Sequence, residues 1–353
     1  MKVPSELILS KFHPKIFQFC LENKISTDTD YDCLLSFLLF EEIKKDSNKR
    51  LSLSILKNYF DSLPKDFSEF PLNYSEDELF CLKNTYFSKR IEKFKIEFEK
   101  NFEKISEHFS RMNLKLNREK FLKFYLILCS RSFGLDTEEG TFDSLVPFGD
   151  MFNTSVNDYE RSSFWYFDDD KNFHVEAGRD ITPNEEIFIR YNDGYNSDFL
   201  LYYGFTLKEN KNGKIENFVI NDDLGNILCE VRLKYPKPSI RDFKLDSLRD
   251  KLNSNSHDDV DLLQLVKENL YKANKFYDDH WKYDEKHVTK ISHINMENIK
   301  GIIQEEHMVI RENLKFIDKM IQIMQNIEGV NDMEDLSYYD VDFLQNYKFR
   351  NNL

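Results

Sequence analysis

No apolar run in these 353 residues approaches the roughly 18 needed to cross a bilayer, so the sequence offers no membrane-spanning helix. The N-terminal "MKVPSELILSKFHPK" has too short an apolar stretch and no small-residue cleavage site for a secretory signal. Both absences set the expectation of an intracellular protein, cytoplasmic or nuclear. Cysteine is scarce: the five residues Cys20, Cys33, Cys81, Cys129 and Cys229 are far apart, odd in number and form no C-x-x-C, which argues against a disulfide framework and a thiolate zinc site. Histidine is scarce too. Eight are scattered, His280, His287 and His293 at intervals of seven and six with no acid-rich partner spacing, and they read as surface or interface residues rather than metal ligands. An excess of positive charge is missing as well. With 63 acidic against 49 basic side chains the net charge is −14, a field that repels a phosphate backbone and favours a basic partner. Internal repeats and low-complexity tracts are absent.

What remains is a composition of 41% hydrophobic and 32% charged residues, long enough for two domains. From Tyr31 to about Arg131 apolar residues recur at three and four positions, in "DYDCLLSFLLFEEIKK", "LSLSILKNYFDSL", a Lys/Glu/Phe stretch from Ser75 to Met112, and "NREKFLKFYLILCSR". Pro64 and Pro71 mark a connecting loop, and the last of these helices is expected to end at Gly134. The texture then changes. "FWYFDD" and "NFHVEAG" around Asp169 to Lys171 read as a hairpin, "EEIFIRY" as another strand, and "KIENFVIN" with "NILCEVRL" as a second hairpin. From about Asp242 the pattern is helical again, with a long helix expected over about Met296 to Met324 and a second domain beginning near Leu207.

Three separated segments form one constellation: Ser130-Arg131-x-Phe133; Leu145-Val146-Pro147-x-x-Asp150-Met151-x-Asn153; and Glu186-x-Phe188-x-x-Tyr191, followed by Asn196 and Tyr203-Gly204-Phe205. In order and spacing they resemble the SET-domain methyltransferases of the Rubisco large-subunit methyltransferase type. The resemblance implies an α+β fold: a SET β-fold of short strands with pseudo-knot-like threading over residues 1–206, a helical insert at about 31–131, and an all-α substrate-binding domain over 207–353. "MKVPSELIL" is similar to the family's "VP" strand. The strands and Gly-x-Gly cofactor loop that precede this strand in the family are not in the sequence, which is then either truncated or carries an incomplete site.

The activity implied is S-adenosylmethionine-dependent transfer of a methyl group to a protein lysine, with a basic or neutral segment as substrate. A SET-like binding module without catalysis and a protein-histidine methyltransferase are the alternatives. Tyr191 matches the catalytic tyrosine. Its phenol, with a reference pKa of about 10, is expected to be a neutral hydrogen-bonding group and not a base. Tyr203 matches a second channel tyrosine, and Phe133 stands where histidine-directed relatives carry an asparagine, so both favour lysine. Arg131 suits the cofactor's carboxylate, because a guanidinium pairs with a carboxylate through two hydrogen bonds. Asp150, Asn153, Thr154 and Phe205 complete the implied cofactor set, with Thr154 standing where the family usually has histidine, a change that a backbone contact to the cofactor survives and a side-chain contact does not. Asp150 either bonds the cofactor or ties its loop, Phe205 either packs on the adenine edge or is core, and Asn196 is expected to fix its turn.

Overall fold

The computed structural model describes residues 1–26, 30–138, 140–155, 157, 163–192, 194–252, 258–280, 290–325 and 337–350. The chain divides into two compact units, one of residues 1–73, 91–193 and 201–204, the other of 74–90, 194–200 and 205–353. This division is finer than a single cut at residue 206. The turn and helix start at 74–90, inside the expected insert, and the segment 194–200 both belong to the second unit.

In the first unit, helix α1 (Pro14–Glu22), α2 (Asp30–Asp46), α3 (Ile55–Ser62) and α6 (Arg118–Arg131) surround the strands, and α5 (Tyr86–Arg111) contributes everything after Arg90. Helix α4 (Glu76–Cys81) of the second unit starts at a capping box, in which Ser75 and Glu78 satisfy each other's backbone N–H. The expected single stretch from Ser75 to Met112 is therefore two helices, broken where Asn84 takes a left-handed φ of 70°. Helix α6 is capped by Asn117, whose side chain accepts from the Lys120 N–H, and buries Phe121, Phe124, Tyr125 and Leu128 at helical spacing together with Leu126 and Ile127, so it is enclosed on more than one face. It ends at Arg131 rather than Gly134, because Ser132 turns to extended backbone and opens strand β2 (Ser132–Thr137). β2 pairs antiparallel with β3 (Gly140–Leu145), placing Phe133 opposite Ser144, whose hydroxyl donates to the Phe133 carbonyl at 2.9 Å.

The hairpin around Asp169 is present as β4 (Ser163–Phe167) and β5 (Phe173–Ala177), and β5 also pairs with the "VP" strand β1 (Lys2–Val3), giving the order β1-β5-β4. "EEIFIRY" departs from expectation. It forms no strand, only a single parallel bridge from Phe188 to Asn153, with the Ile189 N–H on the Asn153 carbonyl at 2.9 Å. One neighbour supplies one bridge, so the alternating pattern that suggested a ladder serves only to bury Ile189. The core beneath the sheet is built from Val3, Ile8, Phe133, Val146, Phe173, Val175 and Ile189, with Trp165 and Tyr191 packed against it.

The second unit is helical around one antiparallel hairpin, β6 (Gly213–Asn221) and β7 (Ile227–Tyr235), so it is not all-α; β6 buries Ile215, Phe218 and Ile220, a break in register between Ile215 and Phe218 bringing both to the inner face. The hairpin packs on the long helix His293–Met324, beside Asp259–His280. A short helix, Asn196–Asp198, continues as a π-helical turn over Phe199–Tyr203. His287 lies outside the described residues.

Candidate active site

Arg131 is the last residue of α6, and Phe133 is the second of β2, so one helix-to-strand turn delivers a guanidinium and an aromatic ring to the same place. The segment after β3 brings the next group. Val146 is fully buried, Phe148 takes a left-handed φ of 73°, and a 3₁₀ turn over Gly149–Met151 follows. A Cβ on Gly149 would stand 2.8 Å from Val146 Cγ1 and 2.9 Å from Phe173 Cε1, so glycine is required for this close approach. The turn buries the Asp150 side chain, which pairs with Arg131: Nη1 donates to the Asp150 carbonyl at 2.9 Å and to Oδ2 at 3.3 Å. Tyr59, from helix α3, donates its hydroxyl to the same Oδ2 at 2.8 Å. Burial pushes the Asp150 carboxyl above its usual range, opposed by the Arg131 charge and the Tyr59 hydrogen bond. Its other oxygen, Oδ1, is buried with no hydrogen-bond partner among the described residues.

Tyr191 follows the bridged segment. Its hydroxyl donates to the Phe152 carbonyl, and its ring stacks on Tyr203 with centroids 4.9 Å apart and planes at 22°. Burial raises its phenol to a pKa of about 12, against the lowering effect of Arg131. Tyr203 closes the π-helical turn, and Gly204 beside it has φ 81°, a conformation that glycine adopts freely.

These groups line one cavity of about 200 Å³: Arg131, Phe133, Asp150, Trp165, Tyr191 and Tyr203 all face it. Trp165 packs edge-on against Phe133, centroids 5.1 Å apart, and its indole N–H donates to the Arg190 carbonyl at 3.0 Å. The cavity thus has an aromatic wall and a charged end with an unused buried acceptor. Asn153 and Thr154 lie on the chain just beyond, Asn153 with its amide on Glu186 Oε1 at 2.6 Å and Thr154 buried. Phe205 is not brought to this cavity. It belongs to the second unit and stacks on Phe199, centroids 5.2 Å apart. Asn196 holds its own turn, bonding the Leu207 N–H and carbonyl with its two amide atoms.

Tyr59, Trp165 and the Phe152 carbonyl are the members that sequence reading missed. Trp165 carried a signal, being one of two tryptophans and placed in an alternating strand. Tyr59 carried none, since 91 residues separate it from the carboxylate it serves.

A family model for the SET domain matches residues 12–192. Among solved structures, the chain is similar to the SET domain of LSMT bound to lysine and AdoHcy, with 16% identity, TM-score 0.65, and coverage of 98% of this chain and 85% of that one. It is similar also to Rubisco LSMT bound to AdoMet, at 16% identity, TM-score 0.61 and the same coverage. A third similar structure is Rubisco LSMT bound to sinefungin and monomethyllysine, at 15% identity, TM-score 0.62, and coverage of 98% and 86%. No curated protein matches the sequence.

Proposed function

Because the chain belongs to the SET-domain family, we propose that it is an S-adenosylmethionine-dependent protein-lysine N-methyltransferase. The observation that carries this reading is the meeting of a stacked tyrosine pair, a phenylalanine wall and the Arg131–Asp150 pair in one cavity. The similar structures support it, since they hold AdoMet, AdoHcy or sinefungin, two of them with lysine or methyllysine.

The residues present fit the cofactor. Arg131 commits only Nη1 to Asp150, leaving Nε and Nη2 for a carboxylate, and the orphaned Asp150 Oδ1 is an acceptor for an ammonium. Asn153 and Thr154, next along the chain, are assigned to the remainder of the cofactor. When bound, S-adenosylmethionine supplies a methyl group on a sulfonium, already activated for transfer to nitrogen.

The protein's own task is alignment and desolvation of the amine. The Tyr191 hydroxyl gives its one proton to the Phe152 carbonyl, so towards the cavity its oxygen accepts, and an amine N–H bound there is held with its lone pair directed away from the ring. A lysine amine has a reference pKa of about 10.4, and having it neutral at pH 7 costs about 4.6 kcal/mol. The walls of Phe133, Trp165 and Tyr203 exclude water and so disfavour the ammonium form. An apolar Phe133 also offers an imidazole no hydrogen bond, which favours lysine over histidine. Calorimetric titration with S-adenosylmethionine, followed by transfer of labelled methyl to a protein mixture, tests the reading. Label on lysine supports it, and cofactor binding with no transfer to any protein overturns it.

A further inference from the structure

A second and larger hollow, of about 840 Å³, opens beside the cavity and shares Gly134 and Trp165 with it. Four carboxylates line it: Asp136 near the end of β2 and Glu138 in the turn just after it, Asp168 and Asp169 from the β4–β5 turn. Lys171 is the one cation among its lining residues. Asp168 is largely occupied, accepting from Asn172 at 2.9 Å and His174 at 2.9 Å, and Asp136 accepts from the Thr141 hydroxyl at 2.6 Å. Glu138 and Asp169 are exposed.

The remaining lining is aromatic, with Phe12, Tyr166 and Phe167. Of these rings Phe12 already receives an ammonium group from the chain itself. Lys171 Nζ lies 5.0 Å over Phe12, and Lys11 Nζ lies 3.8 Å over Phe142, the ring that packs edge-on against Phe12. Carboxylates beside ring faces suit arginine and lysine side chains, whose stems lie on rings while their charged heads reach acids. A chain laid in this hollow can send one side chain past Trp165 into the cavity.

We propose that the groove holds the arginine- or lysine-bearing residues that flank the target lysine, so the substrate is a basic polypeptide segment. This rests on the lysine-methyltransferase reading of the adjoining cavity. The test uses the full chain and two peptides, one with its lysine flanked by arginines and one with the same lysine flanked by serines. Binding is read by fluorescence anisotropy without turnover, and transfer is read by steady-state kinetics. Glu138→Gln with Asp169→Asn changes two exposed side chains outside the cavity and leaves the fold intact. The expected result is tighter binding of the arginine-flanked peptide, weakened roughly fivefold by the double variant and further by salt. In kinetics the KM for that peptide rises while its kcat, and both constants for the serine-flanked peptide, stay put. Equal kcat/KM for the two peptides in the wild type, or a double variant that binds the basic peptide unchanged, overturns the proposal while leaving the enzyme reading standing. Charge-dependent binding of the basic peptide with no transfer to either peptide overturns the enzyme reading and leaves the groove as a binding site.

Discussion

The hydroxyl of Tyr191 has one proton, and the Phe152 carbonyl takes it. What remains for an incoming amine is the oxygen's lone pairs, so Tyr191→Phe removes an orienting acceptor and leaves the cofactor's partners in place. The turnover number is expected to fall about 100-fold, with S-adenosylmethionine affinity changed less than a few-fold by calorimetry. A phenol with a pKa of about 12 also keeps its proton throughout the working range. The rate should therefore rise with pH between about 7 and 10 as the substrate amine deprotonates. A descending limb in that range, abolished by Tyr191→Phe, would show that the phenol ionises during turnover. Arg131→Ala should weaken cofactor binding by about 1.5–3 kcal/mol, the worth of a charged hydrogen bond, and an unchanged affinity would assign Arg131 to holding Asp150 alone. Tyr191, Tyr203, Phe133, Arg131 and Asp150 were legible because their order along the chain is a motif. Tyr59 and Trp165 were not, because what they contribute depends on where a distant helix and strand come to lie.

At the scale of elements, both hairpins and the long C-terminal helix were legible in their periodicity, two alternating and one helical. The β2–β3 hairpin was not, since "CSRSFGL" continues the apolar run of α6 and its change of conformation at Ser132 has no glycine or proline to mark it. "EEIFIRY" misled in the opposite way: an alternating pattern reports which side chains are buried, and a strand also needs a partner of equal length. The π-helical turn at Phe199–Tyr203 ends on Gly204, where φ is 81° and a Cβ would meet the Phe70 ring at 2.8 Å. Gly204→Ala should destabilise the protein by about 1–3 kcal/mol through the combined strain and overlap, read as a lower Tm. A melting temperature equal to that of the wild type would mean that the turn is looser than this geometry.

For the molecule as a whole, two buried glutamates of the second unit make stability sensitive to pH. Glu305 accepts from the Ser197 N–H at 3.1 Å, and Glu306 accepts from the Tyr86 N–H at 3.0 Å, the Phe87 N–H at 2.6 Å and the Tyr277 hydroxyl. Burial raises both carboxyls to a pKa of about 7 in spite of these bonds. The folded form then holds their protons more tightly than the unfolded chain, whose glutamates titrate near 4.5. Their contribution to stability is therefore full below about pH 4.5 and is lost as pH rises to about 7, by up to about 3 kcal/mol for each group. Glutamine mimics the protonated form, so Glu305→Gln with Glu306→Gln should gain on the wild type in denaturant titrations as pH is raised from 4.5 to 7.5. A difference that does not change with pH would place both carboxyls at ordinary values. The net charge of −14 was readable at once and agrees with the basic substrate proposed above, whereas the placing of four carboxylates around one hollow needed the β2 end and the β4–β5 turn to be brought together. The most direct test of the central claim is peptide-resolved mass spectrometry of proteins incubated with the full chain and isotopically labelled S-adenosylmethionine. Labelled methyl is expected on the Nε of lysine and is lost with Tyr191→Phe; label on histidine and absent from lysine would contradict the lysine assignment.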